Sequence, residues 1–428
     1  MSTAAGLLSE MPARRPVHRR RDRCRACNTT RLNRFLELGA QPLANAFVRE
    51  PSEFSTEAHY PLDLYFCEGC GLVQLLDVID PEVLFRDYIY VTGTSATMAA
   101  HNERYARTVL AMLDAEPSDL IVEIASNDGS LLSRFAQQGA RTLGIEPARN
   151  IAALARERGI ETVERFLDAE TANDVVATHG QARAVIANNV LAHVDDTLGF
   201  LRACRTLVAD DGIVAIEVPY VREMLERLEY DTVYHEHLCY FSISALLRLF
   251  ESAGLRLIRV ERVPVHGGSI RVYAVPDVRL EEHARGVLAL AEEERDHGIA
   301  SLDRWRRFAA DVAANRRALN DLLRTLVRSG SVVVGYGAPA KGNTLLNYCG
   351  IGNELLPFTV DRNPLKIGTF TPGMHLPVLP VEAILDRQPH YVLILAWNFA
   401  DEIMAQLSTY RDRGGRFIVP VPTPTVIS

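Results

Sequence analysis

The middle of the chain alternates short apolar segments with segments whose apolar residues recur at helical spacing. A continuous apolar strand is predicted at residues 119–125, a turn at 127–130 and a helix at 131–138. The same order then repeats, with predicted strands at residues 141–146, 184–188 and 212–219 and a helix at 148–158. Strands that alternate with helices are typical of a doubly wound parallel sheet. A hairpin over residues 255–263 and 269–275 is expected to close this sheet.

Different patterns flank this region. Short alternating stretches near residues 60–75 precede it, and a charged helical segment at 281–328 follows it. A second, smaller strand–turn–helix unit begins near residue 331. The sequence therefore predicts the α/β class. The expected parts are a disordered tail at 1–21, a small N-terminal domain at 22–80, a Rossmann-like core at 81–277 and a C-terminal Rossmann-like α/β domain at 278–428.

Composition narrows the class of protein. The chain has 428 residues, 48% of them hydrophobic, so it contains enough apolar material for several cores. The net charge of −8 argues against a nucleic-acid or anionic-membrane partner, although residues 14–23 are rich in arginine. No apolar run approaches the roughly 18 residues of a membrane-spanning helix, and none follows the arginines as in a secretory signal. We therefore expect a cytoplasmic protein with no membrane and no nucleic-acid partner.

Four of the seven cysteines form two C-x-x-C pairs, Cys24 with Cys27 and Cys67 with Cys70. Two such turns facing each other supply four thiolates for a closed tetrahedral site. The sequence therefore predicts a structural zinc ion. Four reduced cysteines, a redox pair and a zinc ribbon that binds nucleic acid are the alternatives, and only the arginine-rich tail favours the last.

The first strand–turn–helix unit contains a candidate nucleoside site. Small residues at Ala125, Asn127 and Gly129 allow a ligand to approach the backbone, and Glu146 ends the next strand, where its carboxylate can accept ribose hydroxyls. No G-x-G-x-x-G is present, and an acidic residue, Glu123, stands inside the first strand. These points favour S-adenosylmethionine over a dinucleotide, as in the E/D-x-G-x-G-x-G pattern of class I methyltransferases. A purely structural turn is the alternative, because Ala125 and Asn127 replace two glycines of that pattern.

Two further segments carry polar groups that suit chemistry. Asn188, Asn189 and His193 lie at the carboxyl end of the predicted strand at 184–188, where they face the same crevice or act only as helix caps. Residues 231–242 contain Tyr234 and His237, which share a face if the turn is helical, and both can handle protons. A second metal is not expected, since adjacent residues of the H-E-H run point in different directions. Ordinary buried hydrogen bonding is the other interpretation.

The C-terminal unit begins with Gly335-Tyr336-Gly337-Ala338-Pro339-Ala340-Lys341-Gly342-Asn343, and Asp361 follows about 20 residues later. This pattern is typical of a dinucleotide site and makes an NAD-dependent dehydrogenase the rival class of enzyme. A helix N-terminus with Lys341 also suits a diphosphate of any kind. A lobe that only supports the rest of the fold is the third interpretation.

Six ordered motifs together resemble those of a known family. They are the paired C-x-x-C knuckles, EIASNDGS, NNVLAH, YHEHLCYFS, HGGSIR and GYGAPAKGNTLLN. This combination resembles the nucleotide-sugar C-methyltransferases of bacterial natural-product pathways, of the tetronitrose and tylosin C-3 type. Members of that family act on TDP-4-keto-6-deoxysugars. The resemblance implies a zinc-binding N-terminal domain, a central S-adenosylmethionine domain and a C-terminal domain that contributes to holding the TDP-linked sugar.

The resemblance also implies roles for individual residues. His237 or Tyr234 would be the base that forms an enolate next to the ketone, and we favour His237 because an unperturbed tyrosine has a pKa of about 10. Glu236 would orient these two side chains, and His193 would help to stabilise the enolate. The remaining expected contacts are Tyr88, Asn189, Lys341 and Asn343 with the sugar nucleotide, and Glu123, Ala125, Asn127, Gly129, Glu146 and Asn188 with the methyl donor.

Several alternatives remain open at this point. Methylation is expected at C3, but C5 is also adjacent to a C4 ketone. An NAD-linked sugar oxidoreductase and a zinc-ribbon interaction protein with a non-catalytic core are the competing functions. The sequence does not fix the oligomeric state and is compatible with a monomer.

Overall fold

The computed structural model describes residues 17–86, 96–263, 267–279 and 283–428. Tyr88, predicted to face the sugar, lies outside these ranges, and so do residues 1–16 of the predicted tail. Among the described helices, none combines the length and the apolar character needed to cross a membrane.

Nineteen strands are described. They are β1 His18–Arg20, β2 Leu32–Gln41, β3 Tyr60–Cys67, β4 Val73–Leu75, β5 Asp77–Ile79, β6 Leu120–Ile124, β7 Arg141–Ile145, β8 Thr162–Val163, β9 Ala182–Asn188, β10 Val208–Pro219, β11 Cys239–Tyr240, β12 Leu255–Val263, β13 Ser269–Pro276, β14 Val333–Tyr336, β15 Thr359–Val360, β16 Val378–Leu379, β17 Tyr391–Ile394, β18 Arg416–Val419 and β19 Thr425–Ile427.

Fourteen α-helices accompany the strands in the described ranges. They are α1 Pro81–Phe85, α2 Ala96–Leu113, α3 Leu132–Gln137, α4 Arg149–Glu157, α5 Ala169–His179, α6 Thr197–Leu207, α7 Val221–Arg227, α8 Ile243–Ser252, α9 Arg285–Asp296, α10 Leu302–Arg328, α11 Ala340–Cys349, α12 Glu382–Arg387, α13 Ala400–Gln406 and α14 Ser408–Asp412.

The central domain is built on a seven-stranded sheet of order β12-β13-β10-β9-β6-β7-β8. Strands β8, β7, β6, β9 and β10 are mutually parallel, whereas β13 and β12 run antiparallel. Every residue of β6 is buried, as expected for a parallel strand covered on both faces. The predicted α/β class, the parallel core and the closing hairpin are confirmed. The short strand β8 was not predicted, because two residues carry too little pattern.

The C-terminal domain has a six-stranded sheet of order β16-β15-β14-β17-β18-β19, parallel except for the last pair. Helix α11 follows β14 after a tight turn at Gly337, whose φ is +89°. A Cβ at Gly337 would lie 3.1 Å from the Cβ of Ala396, so a side chain would be strained there. The predicted Rossmann-like unit is therefore confirmed.

The N-terminal sheet has the order β11-β4-β3-β2, so its fourth strand comes from the central part of the chain. Residues Cys239 and Tyr240 pair antiparallel with Gln74 and Val73. The N-terminal domain is therefore completed by the segment that directly follows His237.

The prediction of a disordered tail up to residue 21 is wrong for the described part of that segment. Strand β1 pairs antiparallel with β5. The buried carboxylate of Asp77 accepts hydrogen bonds from His18 at 2.9 Å and from Arg20 at 2.6 Å. These polar residues lack an apolar pattern, and they are ordered by a charge partner that lies far away in the sequence.

Helices α9 and α10 join the domains. Glu294 on α9 accepts hydrogen bonds from the Tyr220 hydroxyl at 3.0 Å and from the Ile243 amide at 2.6 Å, both in the central domain. On α10, the Oδ1 atom of Asn315 accepts from Tyr230 at 3.0 Å. The change of composition near residue 277 is therefore not a break in packing, and the boundary proposed there separates segments that share one core.

A buried acidic pair lies where the central domain meets the C-terminal domain. The indole Nε1 of Trp397 donates to Oδ2 of Asp231 at 2.6 Å, and the Lys341 ammonium lies 4.6 Å from the Trp397 ring. Burial raises the pKa of Glu229 to about 8 and also raises the pKa of Asp231, while Lys341 opposes both shifts. Glu229 is therefore largely protonated at neutral pH.

We expect Glu229→Gln to stabilise the protein at alkaline pH but not at acidic pH. The folded pKa of Glu229 is about 8, whereas an unfolded glutamate has a pKa of about 4.3. The folded state therefore binds more protons than the unfolded state, and Glu229 costs stability progressively as the pH rises through this window. A neutral glutamine removes that cost. The advantage of the variant over the wild type in unfolding free energy should grow by about 4 kcal/mol between about pH 5 and about pH 8.5.

Chemical denaturation at the two pH values measures this difference. Glu226→Gln is the matched control, because Glu226 is exposed and pairs with Arg222 at the surface. A Glu229→Gln advantage that is equal at both pH values would contradict a protonated Glu229 in the folded protein.

Candidate functional site

The four predicted metal ligands come together in the N-terminal domain. Their sulfur atoms all lie within 4.8 Å of one another, with Cys24 Sγ 3.6 Å from Cys70 Sγ and Cys27 Sγ 3.5 Å from Cys67 Sγ. Sulfur atoms around a tetrahedral zinc ion with Zn–S bonds of about 2.3 Å are about 3.8 Å apart. The arrangement therefore fits zinc and leaves no ligand position open for catalysis.

The surroundings of the sulfurs support the same assignment. The Gln74 amide donates to Cys24 Sγ at 3.2 Å, and the Ala26 backbone amide donates to the same sulfur at 3.4 Å. A Cβ at Gly69 would lie 3.0 Å from Cys27 Sγ, so any larger residue would crowd this sulfur. Donors directed at a sulfur stabilise the thiolate that binds the metal.

The loop after β6 adopts an unusual backbone conformation. Ala125, Asn127 and Gly129 have φ angles of +52°, +50° and +72°. Oε2 of Glu146 accepts from the Asn127 amide at 2.9 Å, and Oε1 accepts from the Ala148 amide at 2.8 Å. Left-handed residues other than glycine cost free energy and cluster at ligand-binding loops. The structure thus brings the loop predicted to bind the nucleoside into direct contact with Glu146, the residue predicted to bind the ribose.

Unpaired polar atoms mark the same edge of the central sheet. In the part of the chain that the structure describes, Glu123 Oε2 and Asn188 Oδ1 are buried and have no hydrogen-bond partner. Burial raises the pKa of Glu123 well above its ordinary value, and the nearby carboxylates of Asp128 and Glu146 raise it further. Glu146, Glu123 and Asn188 belong to the carboxyl ends of the adjacent strands β7, β6 and β9. Their placement fits the polar groups of S-adenosylmethionine.

His237 lies in a defined hydrogen-bond chain. Its Nδ1 is 2.9 Å from the Thr232 carbonyl oxygen, and its Nε2 is 2.8 Å from the Tyr234 hydroxyl. A carbonyl oxygen can only accept, so Nδ1 carries the proton and Nε2 of the neutral ring is the basic atom. The predicted proximity of Tyr234 and His237 is confirmed, with ring centroids 4.0 Å apart.

His193 faces this pair from the turn that follows β9. Its ring centroid lies 4.9 Å from that of His237, and the two rings are almost perpendicular. Burial lowers the pKa of His193 to about 4. The imidazole is therefore neutral at physiological pH and can donate a hydrogen bond without carrying a charge.

The residues on the N-terminal side of His237 contact the N-terminal domain. Glu236 accepts a hydrogen bond from the Asn45 side-chain amide at 2.7 Å. His235 Nε2 lies 3.2 Å from the carbonyl oxygens of Tyr60 and Pro61, and burial lowers its pKa to about 4. Asn45 has no sequence signal that connects it with Glu236, so the sequence did not identify this contact.

The predicted sugar-nucleotide ligands other than Tyr88 are in different positions. The Asn189 backbone amide donates to the Glu217 carbonyl oxygen at 2.8 Å, and its φ is +53°. Asn343 on α11 is buried and donates to the Ala44 carbonyl oxygen at 2.7 Å. Lys341, also on α11, lies beside Trp397. The structure therefore gives Asn343 a contact between domains, and it does not bring these residues into one hydrogen-bonded cluster.

A second cluster of polar side chains, at the end of β10, was not predicted from the sequence. Arg271 donates to Glu217 Oε2 at 2.7 Å, and its Nη2 lies 3.0 Å from His101 Nε2. All three side chains are buried, and Glu217 pairs in register with Asn188. An acidic residue inside the apolar strand 212–219 was the signal that could have revealed Glu217.

Each of the three domains is similar to a known protein family. Family models match a zinc binding domain at residues 24–85, a methyltransferase domain at 98–260 and a C-methyltransferase C-terminal domain at 264–422. Among solved structures, magnesium protoporphyrin IX methyltransferase of Synechocystis PCC 6803 with bound SAM has a TM-score of 0.35 and 16% identity, covering 46% of this chain and 98% of that one. The PH0226 protein of Pyrococcus horikoshii OT3 has a TM-score of 0.34 and 13% identity, covering 46% and 96%.

A curated relative matches over almost the whole length. C-methyltransferase NovU of Streptomyces niveus is 38% identical over 407 residues, which is 95% of this chain and 97% of that protein. The donor site and the four-cysteine site agree with this match, so S-adenosylmethionine is the methyl donor and zinc is the structural metal. The chain belongs to the family of S-adenosylmethionine-dependent C-methyltransferases with an N-terminal zinc-binding domain.

Proposed function

We propose that the protein methylates C3 of a TDP-4-keto-6-deoxysugar. The observation that carries this proposal is the hydrogen-bond chain from Thr232 through His237 to Tyr234, in which Nε2 is the basic atom of the neutral His237 ring. Carbon is not nucleophilic until a proton is removed, and a neighbouring ketone makes that proton acidic. A neutral histidine is suited to remove it near neutral pH.

The loop of residues 231–242, called the catalytic loop, and the turn that contains His193 share the steps of enolate formation. His237 Nε2 takes the proton from the carbon next to the ketone. Substrate displaces the Tyr234 hydroxyl from Nε2, and this hydroxyl and the neutral His193 ring then donate to the developing enolate oxygen. Glu236 holds the loop through Asn45. S-adenosylmethionine, when bound, supplies an electrophilic sulfonium methyl group to the carbanion.

The donor site follows from the sheet edge described above. Each oxygen of Glu146 accepts one backbone amide and has a second lone pair for a ribose hydroxyl. Glu123 and Asn188 have buried oxygen atoms unpaired in the described part of the chain, and we assign them to the methionine end of the donor. A bound ammonium would favour the ionised form of Glu123 and so offset the effect of burial on its pKa.

The C-terminal domain is assigned to the nucleotide-sugar substrate. Thr344 on α11 donates to the Val233 carbonyl oxygen at 3.1 Å, so α11 directly contacts the catalytic loop. Lys341, at the start of the same helix, would attract the diphosphate. Asn189 and Asn343 are the other proposed sugar-nucleotide ligands. Asn343 Oδ1 is buried without a partner among the described residues.

Incubation with isotopically labelled methyl donor and TDP-4-keto-6-deoxysugars tests the function. We expect a gain of one methyl group that is stable to acid, because it is bound to carbon, with the C3 proton lost. Labelling at C5 would contradict the choice of carbon. Oxidation or reduction of the sugar with NAD(H), without methyl gain, would support the oxidoreductase alternative instead.

We expect His237→Asn to abolish proton removal. Both methyl transfer and deuterium exchange at the acidic carbon should fall by about 10²-fold or more, since Nε2 is the proposed base. Exchange is measured by NMR in D₂O with no methyl donor present. Tyr234→Phe is the matched variant, because it retains the ring that packs on His237 and removes only the hydroxyl. It should slow exchange less than His237→Asn, and exchange at the wild-type rate in His237→Asn would remove His237 from this role.

A further inference from the structure

Arg25 lies inside the first zinc knuckle, between Cys24 and Cys27, yet its side chain contacts residues outside the metal site. The guanidinium is fully buried. Its Nε donates to Asp195 Oδ1 at 3.1 Å, and its Nη1 donates to the Leu75 carbonyl oxygen. This arginine therefore bridges the metal-binding turn and the central domain.

Asp195 lies two residues after His193 in the same turn. Arg21 donates to its Oδ2 at 3.1 Å, and Arg19 donates to the same oxygen from a position that is 52% exposed. The charges of Arg25, Arg21 and Arg19 lower the pKa of Asp195, although burial opposes this shift. Since only Arg25 among the three has a fully buried side chain, its contact is the one least screened by water.

A second connection runs from the same knuckle to the His237 side of the site. Gln74 contacts Cys24 Sγ through its amide and pairs with Cys239 in the sheet. The Leu75 amide donates to the Leu238 carbonyl oxygen at 3.0 Å, and the Leu238 amide donates to the Ala192 carbonyl oxygen at 2.7 Å. Both catalytic turns, the one with His193 and the one with His237, are thus attached to the metal knuckle.

We propose that Arg25 is a positioning residue, which holds the His193 turn through Asp195 so that the His193 imidazole faces His237. The zinc knuckle then sets the geometry of the reacting groups as well as the fold of its own domain. The catalytic part of this inference rests on the proposed role of His193 as a donor to the enolate. The competing explanation is that the Arg25–Asp195 pair only stabilises the contact between the two domains. It predicts no change in the pKa of His193.

Asp195→Asn is the decisive variant, because Asp195 is far from the cysteines in sequence and its change removes no zinc contact. Arg25→Gln tests the other end of the pair. Arg19→Gln is the matched control, since it removes an exposed positive charge that contacts the same carboxylate. Each full-length variant is characterised by its zinc content, by the pKa of the His193 imidazole from NMR of labelled histidine, and by kcat and KM.

For Asp195→Asn we expect full zinc content, a roughly tenfold lower kcat and an unchanged KM for S-adenosylmethionine. The pKa of His193, held at about 4 by burial, should rise toward about 6.5 as the ring reaches water. Loss of a negative charge alone would not raise this pKa, so a rise reports movement of the ring. Arg19→Gln should stay within about twofold of the wild type, as expected for an exposed ion pair. The double variant Arg25→Gln/Asp195→Asn should be no worse than the more impaired single variant, because the two groups act as one pair.

Asp195→Asn with wild-type zinc content, His193 pKa and kcat would overturn the proposal and leave Arg25 as a fastener between domains. A risen His193 pKa with unchanged kcat would instead contradict the catalytic role of His193 and leave the mechanical connection standing.

Discussion

The pairing of β4 with β11 is the constraint on which the arrangement of the site depends. Two residues of the central segment, Cys239 and Tyr240, complete a sheet whose other strands carry the metal knuckles. His237 comes just before this pairing, so its backbone is fixed by the N-terminal domain. The contacts of His235 and Glu236 with that domain strengthen the same attachment. A rigid frame of this kind is what positions a base accurately against a substrate carbon.

Burial gives the polar groups of the site their chemical character. His193 is neutral because its ring is removed from water, and the Thr232 carbonyl selects the tautomer of His237 in which Nε2 is basic. Buried carboxyl groups such as Glu123 and Glu229 tend to keep their protons. Inside such a site each hydrogen bond is stronger than in water, which is useful for an enolate and costly for any donor that lacks a partner.

Sites formed by residues close together in the sequence could be predicted from it. Contacts between residues far apart in the sequence could not. The cysteine knuckles, the turn after β6 and the contact between Tyr234 and His237 each lie within a few residues of chain, where spacing determines geometry. Arg25 and Asp195 are 170 residues apart, and Asn45 and Glu236 are 191 apart, so no local pattern connects them. The arginines near residue 20 have the composition of a tail, but Asp77 and Asp195 supply the charges that order them.

The origin of β11 also has a consequence for the order in which the protein matures. A ribosome delivers the knuckles and strands β2 to β4 long before it delivers residues Cys239 and Tyr240. Until then β4 is an edge strand with unpaired backbone groups, and such edges tend to pair with other chains. A fragment that ends soon after α1 would keep this edge permanently. The zinc-binding domain is therefore synthesised before the central domain, yet its sheet is complete only when the strand at Cys239–Tyr240 of that later segment has been made.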